Sequence, residues 1–115
     1  MKIFLGADHN GFDLKEQIHA YLLEAGHEVV DKGDAKLDKD DDFPTYAARV
    51  ASEVLAHRDT FGILFCGSGQ GVCMAANRFK GIRASLAWNE DAAYEARDDD
   101  DSNILCLPAR QIDYR

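Results

Sequence analysis

The sequence predicts an α/β domain in which a five-stranded parallel sheet is covered by helices on both faces. Short apolar runs typical of strands alternate with longer segments of helical periodicity along the whole chain. The runs ILF and ILCL are apolar at consecutive positions, as in strands that are buried on both faces. The chain has 115 residues, of which 46% are hydrophobic, so we expect residues 1–115 to form a single domain.

The first half of the chain is predicted to form two strands, two helices and a loop. Gly26 is a suitable residue after the end of the first helix, and Pro44 suits the first turn of the second. The strands are expected at 2–7 and 27–31, the helices at 11–25 and 44–57, and a polar, acidic loop at 32–42.

The second half is predicted to form three strands and two helices. Asn89 is placed to cap the last helix. The chain ends soon after the fifth strand, so no C-terminal helix is expected, and one face of that strand would be bare or covered by a partner or by residues outside this sequence. The strands are expected at 61–66, 82–88 and 103–107, and the helices at 70–78 and 90–97.

Charge and composition exclude several classes of partner. The formal net charge of −8 argues against a nucleic-acid surface, which requires a basic patch. No apolar run approaches the roughly 18 residues of a membrane span, and MKIFLGADH is not a signal peptide. We therefore expect a soluble cytoplasmic protein that binds neither nucleic acid nor membrane.

The cysteines do not indicate a metal site or a disulfide framework. The chain has three, Cys66, Cys73 and Cys106, and no two of them form a CxxC pair. Cys73 and Cys106 are interpreted as small buried residues.

Polar residues follow three of the predicted strands where each strand ends. Asp8 and His9 follow the first strand, the loop from Gly67 to Gly71 follows Cys66 at the end of the third, and Arg110 follows the fifth. Ligands of parallel α/β sheets bind at the carboxyl ends of the strands. We therefore expect these residues to lie at one edge of the sheet.

The loop CGSGQG matches none of the common glycine-rich motifs. It lacks the GxGxxG spacing of a dinucleotide loop, the lysine of a phosphate-binding Walker loop and the GxSxG of a hydrolase. A tight strand-to-helix turn with backbone amides at a helix N-terminus remains, and such a turn favours both a bound anion and a thiolate at Cys66. That arrangement suits proton abstraction beside a carbonyl. The residues alone leave open a glycine turn with a buried cysteine.

The other polar residues also allow two interpretations. Asp8 is either a ligand or a loop-stabilising carboxylate, and His9 and Arg110 are either phosphate ligands or surface residues. The acidic runs Asp38–Asp42 and Asp98–Asp101 are typical of solvated segments, although a cation site remains an alternative.

Over its whole length the sequence resembles the ribose-5-phosphate isomerase B family, which also contains galactose-6-phosphate isomerase. The segments that carry the resemblance are MKIFLGADHNGFDLKEQIHAYLLEAGHEVVDKG, DDFPTYAARVA, GILFCGSGQGVCMAANRFKGIRASLAWN and NILCLPAR. The resemblance implies a Rossmann-like three-layer sandwich, aldose–ketose isomerisation of a phosphorylated sugar through an enediolate, and no metal or organic cofactor. It also implies a homodimer with shared active sites, or a tetramer.

The resemblance assigns roles to individual residues. Cys66 matches the catalytic base, and Ser68 matches a hydroxyl that assists near the reacting oxygens. Asp8 matches a ligand of a sugar hydroxyl. His9 and Arg110 match phosphate ligands, and an amide-lined anion hole is matched by Gly67, Gly69, Gln70 and Gly71.

The sequence departs from the family pattern at two places. Asp99 stands where the family has a histidine that helps to open the furanose ring, and Asp100 stands where it has a substrate-contacting asparagine. Asp99 is therefore a candidate proton shuttle and Asp100 a candidate substrate ligand, although carboxylates repel a phosphate. The family's C-terminal helix and arginine-bearing tail are not part of this sequence.

Three functions are consistent with these features. The first is isomerisation of ribose 5-phosphate and ribulose 5-phosphate with Cys66 as base. The second is isomerisation of a six-carbon sugar phosphate such as allose or galactose 6-phosphate, suggested by the altered segment Asp98–Asp101. The third is sugar-phosphate binding without catalysis.

Overall fold

The computed structural model describes residues 1–33 and 43–110. The acidic run Asp38–Asp42 and most of the loop expected over 32–42 lie outside the described residues. Strands and helices alternate along the chain. The strands are β1 (Lys2–Ala7), β2 (Glu28–Asp31), β3 (Thr60–Cys66), β4 (Ala84–Leu86) and β5 (Ile104–Pro108), and the helices are α1 (Phe12–Glu24), α2 (Phe43–Ala56), α3 (Gln70–Ala76) and α4 (Glu90–Asp98).

The sheet is parallel at every pairing and has the order β2-β1-β3-β5-β4. The connection from β4 to β5 runs back towards the centre of the sheet, so β5 lies between β3 and β4 and pairs with both. This order places β1, β3 and β5 side by side in the centre. Their carboxyl ends therefore meet at one edge, as the sequence predicted.

The helices form two layers around the sheet, which confirms the expected three-layer α/β fold. α2 and α3 cover one face, where Val50, Leu64 and Val72 are fully buried in the larger core cluster. α1 covers part of the other face, where Leu14 packs with Leu5.

The second face of the sheet is less well covered than the first. Along β3 and β5, Leu64 and Ile104 point to the α2–α3 side and are buried, whereas Ile63 and Leu105 point to the other side and are partly exposed. A groove of about 180 Å³ crosses this face between α4 and the sheet. In the described part of the chain the last element is β5.

β4 is shorter than predicted: the sequence predicted a strand over 82–88, and the observed strand is Ala84–Leu86. The amide of Ile82 donates to the carbonyl of Phe79 in a turn, and Gly81 has a φ of 95°. In the described sheet β4 pairs only with β5, so it is an edge strand.

Candidate functional site

Cys66 ends β3 with its side chain buried under the loop that follows. The residue is 5% exposed, and the amide of Gly69 donates to the sulfur over 3.2 Å. Gly69 has a φ of 78°, a left-handed conformation that glycine adopts without a steric penalty. The glycine therefore permits the tight turn that directs an N–H group at Cys66, and this contact stabilises negative charge on the sulfur.

The amides of the glycine-rich loop are partly used within the loop. Gln70 donates its amide to the hydroxyl oxygen of Ser68 over 3.2 Å, just as Gly69 donates to Cys66. Gly71 lies against the ring of Phe43 in α2, so this glycine allows close helix packing. The expected anion hole over Gly67, Gly69, Gln70 and Gly71 stays a prediction, with two of its amides already hydrogen-bonded.

The loop after β1 is organised by Asp8. This residue is 5% exposed, and its carboxylate accepts hydrogen bonds from the amides of Asn10 (2.9 Å) and Gly11 (3.2 Å). His9 follows at the same edge of the sheet and is partly buried. Asp8 therefore shapes the loop that presents His9.

Arg110 joins the three loops. Its guanidinium donates to the side-chain oxygen of Asn10 over 3.1 Å and lies across Gly67, where an added Cβ would be 2.7 Å from Nε. The backbone amides of Ala109 and Arg110 donate to the carbonyls of Cys66 and Gly67. One cation, one thiol and the Asp8 loop thus lie together at the carboxyl edge of the sheet.

Asp99 and Asp100 do not lie with this group within one chain. Asp99 caps the C-terminus of α4, and the carbonyl of Asp100 accepts from Arg83, which immediately precedes β4. Both residues come before β5, so they lie towards the amino ends of the strands, opposite Cys66. Their proposed roles stay predictions that require a second chain.

Sequence reasoning missed three features of this region. Asn10 links Arg110 to the β1 loop. Its position directly after Asp8 and His9 was the sequence feature that could have indicated this role. Lys15 is fully buried and forms an ion pair with Asp31 (2.6 Å), which in turn accepts from the amide of Gly33. The carbonyl of Gly33 accepts from the amide of Ala7, so this ion pair supports the end of β1.

The third missed feature is a contact between two thiols. Cys106 in β5 hydrogen-bonds Cys73 in α3, which lowers the pKa of Cys73. The same hydrogen bond, together with burial, raises the pKa of Cys106. Sequence spacing gave no signal for this contact, because it depends on how α3 packs on β5.

The described residues include no cluster of three or more His, Cys, Asp or Glu side chains placed to hold a metal ion. Within the same residues, no helix has the length and apolar character needed to cross a membrane.

Comparisons with known proteins agree with the fold. A model of the ribose/galactose isomerase family matches residues 3–115. A probable ribose-5-phosphate isomerase B of Mycoplasma pneumoniae is 44% identical over 110 residues, covering 96% of this chain and 72% of that protein. Ribose-5-phosphate isomerase B of Escherichia coli is 42% identical over 111 residues, covering 96% of this chain and 74% of that protein.

Solved structures give the same result. The structure of ribose-5-phosphate isomerase B from Mycoplasma genitalium with bound ribulose-5-phosphate superposes with a TM-score of 0.94 at 43% identity, covering 98% of this chain and 75% of that chain. A ribose 5-phosphate isomerase from Thermotoga maritima gives a TM-score of 0.94 at 44% identity, covering 98% and 77% of the two chains. The chain therefore belongs to the ribose/galactose isomerase family.

Proposed function

We propose that this protein interconverts ribose 5-phosphate and ribulose 5-phosphate through an enediolate, with Cys66 as the catalytic base. The observation that carries the proposal is the Cys66 thiol, buried at the carboxyl edge of the sheet and contacted by the Gly69 amide. The relative from Mycoplasma genitalium, with the same fold, holds ribulose-5-phosphate.

The proposed reaction moves one proton between neighbouring carbons. The Cys66 thiolate removes the C2 proton of the open-chain aldose, and the electrons form the enediolate with charge on O1. The thiol then returns a proton to C1 while the O2 proton is transferred to O1, giving the ketose. A base held close to the reacting carbon is typically worth about 10² to 10⁴ in rate.

Ser68 is proposed to exchange protons with O1 and O2. Its oxygen already accepts the Gln70 amide, which orients the hydroxyl. A hydroxyl can donate one hydrogen and accept others, so it suits both directions of the reaction.

Asp8, His9 and Arg110 are proposed to bind the substrate. Arg110 carries a permanent positive charge at the sheet edge, and a guanidinium matches a phosphate in geometry and charge. His9 would add a second phosphate contact, and Asp8 would accept from a sugar hydroxyl.

Asp99 and Asp100 are proposed to act on the substrate of a second chain, with Asp99 shuttling the proton that opens the furanose ring. The supporting observation is their place at the opposite edge of the sheet from Cys66. The proposal therefore includes a homodimer, or a tetramer built from two such dimers. A groove of about 540 Å³ beside Gly71, between α2 and α3, is lined by the exposed Met74 and the partly buried Phe79, and it is the proposed contact surface.

A conversion assay tests this function. The protein, Cys66→Ala and the control Cys73→Ala are each incubated with ribose 5-phosphate, allose 6-phosphate and galactose 6-phosphate, and the ketose is measured. We expect pentose preference and a loss of about 10² to 10⁴ in kcat/KM for Cys66→Ala only. Preference for a hexose phosphate would favour the six-carbon alternative, and binding without turnover would favour the non-catalytic one.

A further inference from the structure

The three thiols of the chain lie together on the α2–α3 side of the sheet. Cys66 and Cys106 belong to neighbouring strands and to the same buried cluster, and Cys73 in α3 packs against that cluster. The thiols of Cys73 and Cys106 are in hydrogen-bonding contact, and the charge of Cys66 also acts on Cys106. The three cysteines therefore share one packed cluster, in which Cys73 and Cys106 interact close to the proposed base.

Cys73 is the most accessible of the three. It is partly exposed, whereas Cys66 is 5% and Cys106 0% exposed. The hydrogen bond from Cys106 lowers the pKa of Cys73, so its thiolate is present at lower pH than that of an ordinary cysteine. The side-chain amide of Asn77 also lies 4.0 Å from the Cys73 sulfur. An accessible thiolate thus has a second thiol within reach.

We propose that Cys73 and Cys106 form a reversible disulfide with low-molecular-weight disulfides as the oxidant, and that this bond changes the geometry of the Cys66 loop.

The chemistry proceeds in two exchanges. The Cys73 thiolate attacks one sulfur of the small disulfide, which forms a mixed disulfide and releases one small thiolate. Cys106 then transfers its proton to a small thiolate, and its own thiolate attacks the Cys73 sulfur and releases the second small thiolate. Two electrons pass from the protein sulfurs to the small disulfide. Capping Cys73 removes the charge beside Cys106 and so favours its deprotonation.

The bond would draw α3 towards β5. An S–S bond is about 2.05 Å long, which is shorter than any contact between two thiols. α3 begins at Gln70, whose amide contacts Ser68, so its displacement moves the loop that contains Ser68 and Gly69. Displacements of about 1 Å at a reaction site cost up to about 10²-fold in rate. The effect on activity rests on the proposed function, whereas the formation of the bond does not.

Thiol mapping on the folded protein tests the bond. The protein is incubated with glutathione disulfide, the remaining thiols are blocked with iodoacetamide, and a non-reducing tryptic digest is sequenced by mass spectrometry. Peptide 59–78 contains both Cys66 and Cys73, and peptide 98–110 contains Cys106, so fragment ions must locate the bond. We expect a Cys73–Cys106 cross-link with Cys66 alkylated. Retention of all three thiols, or a Cys66–Cys106 cross-link, would overturn the proposal.

Single variants provide matched controls. The cross-link should form in Cys66→Ala and be absent in Cys73→Ser and Cys106→Ala. Cys73 is partly exposed, so we expect Cys73→Ser to fold. This variant can therefore serve as the control even if Cys106→Ala does not fold. A cross-link to peptide 98–110 that persists in Cys73→Ser would contradict the assignment.

An activity measurement tests the consequence. Oxidation should lower isomerisation by about 10²-fold in the native protein, be reversed by dithiothreitol, and leave Cys73→Ser unaffected. A fully cross-linked protein with unchanged turnover would contradict the effect on the loop. If the reduced protein converts no sugar phosphate, the proposed function fails, while the thiol mapping still decides whether the bond forms.

Discussion

Gly69 meets two demands that few residues meet together. Its φ of 78° lies in the left-handed region, and an added Cβ would be 2.5 Å from the Cδ1 atom of Leu86. Its amide is also the donor to the Cys66 sulfur. A single residue thus connects the backbone conformation of the loop with the electrostatics of the thiol.

Gly69→Ala is predicted to destabilise the protein by more than backbone strain alone. A non-glycine residue in this conformation costs about 1–2 kcal/mol, and the clash with Leu86 adds to that cost. Gly26→Ala is the matched control, since Gly26 has a φ of 91° but no atom within 4 Å of an added Cβ. Urea unfolding measures both variants. Equal losses of unfolding free energy would show that Leu86 moves aside freely.

The residue types in the sequence predicted where the candidate site lies, but they did not predict the contacts between its residues. The thiol, the glycines and Arg110 could be placed at one edge because the carboxyl ends of parallel strands share an edge. The Arg110–Asn10 hydrogen bond and the Cys73–Cys106 contact could not, because each joins residues far apart in the chain whose distance depends on tertiary packing.

At the scale of elements, α3 connects the candidate site to the edge strand β4. Asn77 at the end of α3 accepts from the amide of Ala84 (2.8 Å) and donates to its carbonyl (2.9 Å). The side chain therefore pairs with β4 as a backbone strand would, and it fixes the end of α3 that lies away from the Cys66 loop.

Asn77→Ala is predicted to lower the unfolding free energy by about 1–3 kcal/mol, because two hydrogen bonds of about 0.5–1.5 kcal/mol each are lost. Asn77→Asp keeps the acceptor but turns a carboxylate oxygen towards the Ala84 carbonyl, so it should cost more than the loss of one hydrogen bond. Chemical denaturation compares the two variants with the native protein. Native-like stability of Asn77→Ala would mean that water replaces both contacts.

The periodicity of the sequence predicted the type and approximate position of the described helices and strands. It could not predict that β5 inserts between β3 and β4, because strand order depends on pairing between distant segments. The position of Asp99 and Asp100 was missed as well. A helix that precedes a parallel strand ends at that strand's amino edge, and this rule places them opposite Cys66.

At the scale of the whole molecule, two apolar surfaces of the described residues stay uncovered. One is the groove between α2 and α3 beside Gly71, where Met74 is 68% exposed. The other is the sheet face that carries Ile63 and Leu105. The first surface borders the Cys66 loop, so pairing there would bring a second chain to the candidate site.

Met74→Glu is predicted to weaken self-association, because it places a charge in the proposed apolar contact. Tyr21→Glu is a matched control on α1, where Tyr21 is 54% exposed. Sedimentation velocity at several protein concentrations should show native and Tyr21→Glu dimers and a shift of Met74→Glu towards monomer. A monomeric native protein, or unchanged dimers of Met74→Glu, would contradict the proposed contact.

The central claim is that Cys66 moves a carbon-bound proton of ribose 5-phosphate, and deuterium exchange measures this most directly. Native protein, Cys66→Ala and Cys73→Ala are incubated with ribose 5-phosphate in deuterium oxide, and deuterium at C2 of the aldose and C1 of the ketose is followed by nuclear magnetic resonance. The account predicts incorporation with native protein and Cys73→Ala, and a rate at least about 10²-fold lower with Cys66→Ala. Incorporation by Cys66→Ala at the native rate would contradict it.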